Sequence, residues 1–126
     1  MTVEELKALR ASFDKLGGHT GPLRNKDLIR AIFAIQFATA ERIGAVTQLR
    51  FDDIDNNVIT FRAETRKGRR LPKVKKVPDW VVEDLSPISR PERDLLFPGC
   101  HGKTKVHLLY DRLFKYAGVT LSLIHI

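Results

Sequence analysis

The stretch that decides the fold is Thr39-Ala40-Glu41-Arg42-Ile43-Gly44-Ala45-Val46-Thr47-Gln48-Leu49-Arg50-Phe51-Asp52-Asp53-Ile54-Asp55. Up to Leu49, its apolar residues keep the helical spacing that begins at Leu28. Residues 52–57 then favour a turn, and the β-branched and aromatic residues 58–61 favour a strand. The stretch therefore marks a change from helices to β-structure. Because its first residues include no strong breaker, both one helix and two helices are compatible with the helical part.

Residues 3–16 predict an amphipathic helix near the start of the chain. Thr2 is its expected N-cap, because Glu5 three residues later completes a capping-box pattern. A second helix is expected to begin near Pro22 or Asn25, since proline is well tolerated in a first helical turn. This second helix carries the apolar pattern into the deciding stretch.

A basic β-hairpin is expected after the deciding stretch. Residues 58–61 form its first strand, Lys67-Gly68 marks its turn, and residues 71–77 alternate imperfectly as the returning strand. Pro72 indicates that the returning strand lies at the edge of a sheet, because proline has no N–H to donate to a strand ladder.

The last third of the chain is expected to be mainly helical. Residues 78–85 predict a short helix, and residues 95–97 predict a short buried run. Residues 104–117 predict a final amphipathic helix, ended by Gly118, with one face formed by Val106, Leu109, Leu113 and Tyr116. The expected fold class is therefore α+β, mainly helical with a small antiparallel β-sheet.

The net charge of +7 is concentrated in one short segment. The 126 residues include 22 Lys and Arg against 15 Asp and Glu. Residues 62–76 hold one acid, Glu64, and eight bases: Arg62, Arg66, Lys67, Arg69, Arg70, Lys73, Lys75 and Lys76. Eight bases less one acid account for the whole excess. This basic strip indicates a polyanion partner, and nucleic acid above all, because phosphate contacts supply much of the affinity of such complexes. A solvated charged loop is the alternative.

Length and composition indicate one intracellular domain. A chain of 126 residues has the size of a single domain. Its one cysteine, Cys100, cannot form a disulfide within the chain, which favours a reducing, cytoplasmic location. The apolar stretches are shorter than the about 20 residues that a membrane helix needs. We therefore expect no membrane partner. We also expect no metal, because Cys100 and the histidines lack the spacing of a zinc site.

Arg42 stands out as a cation within an apolar pattern. If one helix runs through it, its neighbours four and seven residues away are all apolar: Ile35, Ala38, Val46 and Leu49. An arginine on such a stripe is paired, reaches out to water, or holds an anion. Glu41 points to another side of a helix and is a poor partner. A snorkelling arginine and a phosphate ligand both fit the pattern, since guanidinium groups match phosphate oxygens.

The deciding stretch resembles the first arginine motif of the tyrosine recombinases, also called phage integrases. That motif typically reads Thr-Gly-x-Arg-Ile-(Ser/Gly)-Glu, followed by Leu-x-Leu-x-x-x-Asp-Ile. Later elements are similar in type and order, namely Lys67-Gly68, Val77-Pro78, Leu96-Phe97-Pro98 and residues 113–119. The resemblance spans residues 2–119, so residues 1–119 are interpreted as a partial recombinase catalytic domain. Among the departures from the motif, Ala40 replaces its glycine and Ala45 its acid.

The resemblance implies site-specific recombination or integration of double-stranded DNA. In this family a tyrosine attacks a DNA phosphodiester and forms a 3′-phosphotyrosyl link, without a metal or nucleotide cofactor. Arg42 would be the first of two arginines that stabilise the phosphate, and Lys67 would protonate the leaving 5′ oxygen. The alternatives to Lys67 are Arg66, Lys73 and Lys75. The expected DNA-binding residues are Arg62, Arg66, Arg69, Arg70, Lys73, Lys75 and Lys76.

The remaining family elements are expected beyond residue 119. They are His-x-x-Arg, a second His or Trp, and the nucleophilic tyrosine, whereas residues 120–126 resemble a translated sequencing adapter. His125 as the start of His-x-x-Arg is the alternative. Tyr110 and Tyr116 stand too early to be the nucleophile. We therefore expect this chain alone not to cleave DNA, and its full-length parent to oligomerise on DNA.

Two other functions compete with the recombinase hypothesis. One is a non-catalytic DNA-binding module that uses the basic hairpin, residues 62–76. It predicts that Arg42 is dispensable for DNA affinity, whereas Arg69 and Arg70 are needed. The other is a small RNA-binding structural protein, which would prefer folded RNA to duplex DNA.

Overall fold

The computed structural model describes residues 2–62, 71–88, 95–98 and 104–118. Their helices are α1 (Val3–Ser12), α2 (Asn25–Thr39), α3 (Ile43–Thr47), α4 (Asp79–Leu85) and α5 (Thr104–Ala117). Their strands are β1 (His19–Thr20), β2 (Leu23–Arg24), β3 (Ile54–Asp55), β4 (Val58–Phe61) and β5 (Lys73–Lys76). The predicted fold class, mainly helical with small antiparallel sheets, is confirmed.

The first helix begins at its predicted cap. The backbone N–H of Glu5 donates to Oγ1 of Thr2 at 3.1 Å, and the backbone N–H of Thr2 donates to Oε1 of Glu5 at 2.9 Å. These two bonds satisfy donors that a helix start leaves unpaired. The α-helix ends at Ser12, and a 3₁₀ turn over Phe13–Lys15 continues it. The predicted helix over residues 3–16 is thus present with a tighter last turn.

α2 forms the centre of the hydrophobic core. Its fully buried apolar residues are Leu28, Ile29, Ala31, Ile32, Phe33, Ala34 and Ile35. It contacts α3, α4 and α5, while α1 packs against α5. Burial of each large apolar side chain contributes about 1.5–3 kcal/mol. The residues that follow α2 are therefore attached to the best-packed element of the described chain.

Asn25 begins α2, and Pro22 lies outside it. Gly21 and Pro22 form the turn of a short hairpin that joins β1 to β2. The side-chain amide of Asn25 donates to the carbonyl oxygen of Gly17 at 2.9 Å, and its Oδ1 accepts from the hydroxyl of Thr20 at 2.6 Å. These bonds connect the start of the helix to the small hairpin. The spacing of apolar residues in the sequence does not indicate this connection.

The expected basic hairpin has its base in β4 and β5, which are antiparallel. Phe61 lies opposite Lys73, and Ile59 lies opposite Lys75. β3 pairs with the other side of β4, so β5 is an edge strand of the described sheet. Ile59 and Phe61 are buried, and directly opposed residues share a face. Lys73 and Lys75 therefore lie on the side of the sheet that faces the core.

α5 has its predicted bounds, but its buried face is rotated. The buried side chains are Val106, Leu109, Tyr110, Leu113 and Phe114. The rings of Tyr110 and Phe114 stack with their centroids 5.9 Å apart. Because both rings point inward, the buried face shifts away from Tyr116, which is 51% exposed. The prediction that Tyr116 lies on the buried face is wrong. Gly118 follows the helix with a φ of 70°, the left-handed conformation typical of a C-cap glycine.

The predicted buried run at residues 95–97 is present in part. Leu96 and Phe97 are buried, whereas Leu95 is 39% exposed. Leu95 forms an isolated antiparallel bridge with Arg50, and the backbone N–H of Leu96 donates to the carbonyl oxygen of Leu49 at 3.0 Å. The run therefore packs beside the segment that follows α3.

Candidate nucleic-acid interface

Arg42 lies at a break between two helices. α2 ends at Thr39, and Ala40 adopts the left-handed conformation with a φ of 58° and a ψ of 24°. Arg42 is then extended, with a φ of −72° and a ψ of 153°, and is the N-cap of α3. Its side chain is exposed. A single helix through Arg42 is therefore absent, and the apolar stripe that such a helix would place around this side chain does not form.

The guanidinium group of Arg42 makes no hydrogen bond or ion pair within residues 2–62, 71–88, 95–98 and 104–118. Its backbone, by contrast, is well held. The carbonyl oxygen of Arg42 accepts the N–H groups of Ala45 and Val46, each at 3.1 Å. α3 thus fixes the main chain at this position, while the side chain is available to an anion.

A buried polar network supports the break between α2 and α3. The Nε2 of Gln36 donates to the carbonyl oxygen of Glu41 at 3.2 Å, and its Oε1 accepts from the hydroxyl of Tyr110 at 2.6 Å. The N–H of Glu41 donates to the hydroxyl of Thr39 at 3.3 Å. All four residues are buried, and burial raises the pKa of the Tyr110 phenol above its usual value of 10.0. The network fixes the backbone that leads into α3.

The carboxylate of Glu41 connects this network to the hairpin. Its Oε1 lies 3.5 Å from Nζ of Lys73 on β5. The Glu41 side chain is 11% exposed and the Lys73 side chain 41%, so the pair is partly shielded from water. The returning strand of the hairpin is therefore bound to the residue directly before Arg42.

Arg62, which follows β4, makes a second connection. Its Nε lies 3.2 Å from Oδ2 of Asp53, and its Nη2 donates to the carbonyl oxygen of Gln48 at 2.7 Å. The same Oδ2 of Asp53 accepts the backbone N–H of Arg50 at 3.0 Å. Gln48 is the C-cap of α3. Both strands of the hairpin are thus bound close to the ends of this short helix.

The structure places half of the predicted basic strip. Arg62 and Lys73 are paired, Lys75 is half-buried and Lys76 is exposed. The remaining predicted residues lie outside the described residues, namely Arg66, Lys67, Arg69 and Arg70. The predicted general acid is among these. The described residues bring together Arg42 and the base of the hairpin.

Two acids that are not among the predicted site residues organise the site. Local sequence indicates only that Glu41 is a poor partner for Arg42 and that Asp53 belongs to a turn and to the Asp-Ile of the motif, whereas in the structure they pair with Lys73 and Arg62. Ala45, where the tyrosine recombinase motif has an acid, is 4% exposed and packs in the core. The local signals are the acid beside Arg42 and the aspartate of the motif, but Lys73 is far from Glu41 in the chain and Arg62 lies nine residues from Asp53, so the pairs themselves are not evident from the sequence.

The described part of the chain contains no group of three or more His, Cys, Asp or Glu that could hold a metal ion. Among its helices, none combines the length and apolar character needed to cross a membrane. Cys100 and His125 lie outside the described residues.

This arrangement of helices and sheets resembles a recombinase domain. A matching solved structure is the crystal structure of XerA recombinase, with a TM-score of 0.73 and 17% sequence identity. The match covers 98% of this chain and 45% of the XerA chain, so this chain spans less than half the length of that protein. No protein-family model and no curated protein matches the sequence. The structural likeness establishes the fold.

Proposed function

We propose that this chain forms the part of a tyrosine recombinase catalytic domain that binds and activates a DNA phosphate. The parent protein would cut and rejoin double-stranded DNA in site-specific recombination or integration through a phosphotyrosine intermediate. It would do so as an oligomer assembled on DNA, in the cytoplasm. The observation that carries the proposal is the exposed guanidinium of Arg42, which has no partner among the described residues and lies beside the base of a basic hairpin.

Arg42 is suited to a phosphate by its chemistry and its position. A guanidinium fork can donate two parallel hydrogen bonds to phosphate oxygens. Negative charge builds up on those oxygens as a nucleophile attacks phosphorus, so a fixed cation stabilises the transition state more than the ground state. Arg42 follows the best-packed helix and is the N-cap of α3. The protein therefore presents the charge from a fixed backbone.

The hairpin supplies the second element of the proposal. Its strip of cations would attract the DNA backbone and set affinity through counterion release. Lys67, which lies outside the described residues, is the proposed general acid for the leaving 5′ oxygen. Transfer of that proton would remove the need to expel an alkoxide. No metal or cofactor takes part in the proposed reaction.

A non-catalytic DNA-binding module is the second candidate. The buried methyl group of Ala45, where the family carries an acid, favours it, because a carboxylate that would buttress the site is missing there. In this alternative the hairpin binds DNA electrostatically and Arg42 contributes little.

The salt dependence of DNA binding separates the two candidates. A fluorescent DNA duplex is titrated with the wild-type chain and with Arg42→Ala over a range of salt concentrations. If Arg42 holds a phosphate, its loss should lower affinity by about tenfold and reduce the slope of log K against log salt by about 0.9. An affinity and slope equal to those of the wild type would favour the non-catalytic module.

Arg24 provides a control for charge at a distant position. Its side chain is 57% exposed, and it precedes α2 whereas Arg42 follows it, which places the two residues roughly 20 Å apart by helical rise. Arg24 pairs with Asp27 at 3.0 Å, so Arg24→Ala also breaks an ion pair and is expected to lower stability, but it should leave the salt slope unchanged because the charge it removes lies at the far end of the helix. Arg42→Ala should leave the fold intact, because the Arg42 side chain makes no capping hydrogen bond.

A further inference from the structure

We infer that Arg62 and Lys73 are positioning residues that hold α3 and Arg42 at the base of the hairpin, and are not phosphate ligands. This inference rests on the proposed function, because it assigns different roles to cations of one basic strip. It divides that strip into cations used inside the protein and cations presented to DNA.

The first connection runs from the hairpin to the residue before Arg42. Lys73 lies opposite Phe61 on the core-facing side of the sheet, which directs its side chain toward the protein body. There its Nζ meets the carboxylate of Glu41 at 3.5 Å. Glu41 is itself held through its backbone by Gln36 and Thr39. A movement of β5 would therefore be transmitted to the N-terminal end of α3.

The second connection runs from the hairpin to the other end of α3. Arg62 donates to the carbonyl oxygen of Gln48, the C-cap, at 2.7 Å, and pairs with Asp53 at 3.2 Å. α3 has only five residues, which is too short for a helix to be stable by itself. Contacts at both ends, together with the core packing of Ala45 and Val46, define its orientation and that of its N-cap.

Burial decides between positioning and phosphate binding for these two cations. The side chains of Glu41 and Asp53 are only 11% and 10% exposed. A carboxylate in such surroundings is poorly solvated and is stabilised by a nearby cation. If Lys73 or Arg62 moved to a DNA phosphate, it would give up this favourable contact. Lys76 is exposed and has no partner among the described residues, so it can bind phosphate without this cost.

Positioning matters because the work assigned to Arg42 depends on geometry. A displacement of about 1 Å in a group that stabilises a transition state can cost a hundredfold in rate. A loosened α3 would let the guanidinium sample several orientations around a phosphate. Arg42 would then keep its charge but lose its directed hydrogen bonds.

The test compares Arg62→Gln/Lys73→Gln with the control Lys76→Gln in duplex DNA titrations at several salt concentrations. A phosphate ligand contributes about 0.9 to the salt slope, so Lys76→Gln should reduce the slope by about that amount. Arg62→Gln/Lys73→Gln should lower affinity with little change of slope. A reduction of about 1.8 for this double variant, two phosphate contacts at about 0.9 each, would overturn the inference.

Coupling to Arg42 supplies a readout that a general loss of stability would not change. Arg42→Ala should clearly lower DNA affinity in the wild-type background. In the Arg62→Gln/Lys73→Gln background, the factor by which it lowers affinity should be at least about fivefold smaller. Equal losses in both backgrounds would overturn the positioning role. If Arg42→Ala does not change DNA affinity in the wild-type background, the result would instead contradict the proposed function.

If Arg42→Ala has no effect on DNA affinity, a measurement without DNA still tests the inference. The N–H groups of Ala45 and Val46 are bonded to the carbonyl oxygen of Arg42, so their hydrogen exchange reports on the first turn of α3. Exchange of both should accelerate several-fold in Arg62→Gln/Lys73→Gln, through easier local opening, and stay unchanged in Lys76→Gln. Unchanged exchange in both variants would show that the two cations do not hold the helix.

Discussion

Nζ of Lys73 lies 3.5 Å from Oε1 of Glu41, so a cation of the hairpin's second strand faces a buried carboxylate directly beside Arg42. The pair joins two segments that are far apart in sequence. It links the basic hairpin to the network of Gln36 and Tyr110 beneath the helix break. Its contribution to folding can be measured independently of any DNA.

Lys73→Met should lower the free energy of unfolding by about 1 kcal/mol. Methionine keeps most of the apolar stem but leaves the Glu41 carboxylate, 11% exposed, without this cation. The cost is well below that of a fully buried pair, because Lys73 is 41% exposed. Urea unfolding of the wild type and the variant measures the difference, and Lys76→Met on the same strand should stay within about 0.5 kcal/mol of the wild type.

A double-mutant cycle shows whether the pair itself carries that energy. Glu41→Gln removes the other charge, and Glu41→Gln/Lys73→Met removes both. Their effects should be less than additive by about 0.5–1 kcal/mol, because the second change no longer breaks an ion pair. Strictly additive losses would mean that the 3.5 Å contact has no coupling energy.

Ala40→Gly should stabilise the protein. Ala40 has a φ of 58°, where an L-residue carries about 1–2 kcal/mol of strain, and the tyrosine recombinase motif has glycine at this position. Glycine relieves the strain but costs about 0.4–1 kcal/mol through the entropy of the unfolded chain. The net gain in the free energy of unfolding, measured with urea, is therefore expected to lie between about 0 and 1.6 kcal/mol.

Ala11→Gly is the control for this change. Ala11 is an exposed residue within α1, where glycine should destabilise by about 0.5–1 kcal/mol. The changes in the free energy of unfolding caused by Ala40→Gly and Ala11→Gly are therefore expected to have opposite signs. Destabilisation by Ala40→Gly of the same size as at Ala11 would show that residue 40 is helical in solution.

The elements with local signals could be predicted from the sequence. The capping box at Thr2, strand Val58–Phe61 and the final helix Thr104–Ala117 all depend on residues close in the chain. The break at Ala40 could not be predicted, because alanine favours helix. The break coincides with hydrogen bonds from Tyr110 and Gln36, and these partners meet only in the folded protein.

The sequence predicts which residues belong to the candidate site better than it predicts the ion pairs that they form. The distribution of charge along the chain singles out the basic strip, and Arg42 is conspicuous among apolar residues. Nothing local distinguishes Lys73, which pairs with Glu41, from Lys76, which is exposed. That difference follows from strand register, because a shift of one residue would exchange the two faces of β5.

Tyr110 should make stability depend on pH above 10. An unfolded tyrosine loses its proton near pH 10, whereas burial raises the pKa of the phenol of folded Tyr110. The folded state then holds a proton that the unfolded state releases. The stability contributed by the neutral phenol is therefore complete below pH 10 and is lost as pH rises, by up to about 1.4 kcal/mol per pH unit.

Urea unfolding of wild type, Tyr110→Phe and Tyr116→Phe between about pH 9 and 11 measures this effect. The free energy of unfolding of Tyr110→Phe should be about 1–2 kcal/mol lower than that of the wild type near neutral pH, because the buried Oε1 of Gln36 loses its donor. Its stability should then fall less steeply above pH 10 than that of the wild type. Tyr116→Phe should keep the wild-type slope, since Tyr116 is 51% exposed. Equal slopes for wild type and Tyr110→Phe would show that the phenol of Tyr110 is accessible to water, and that the network beneath Arg42 is open in solution.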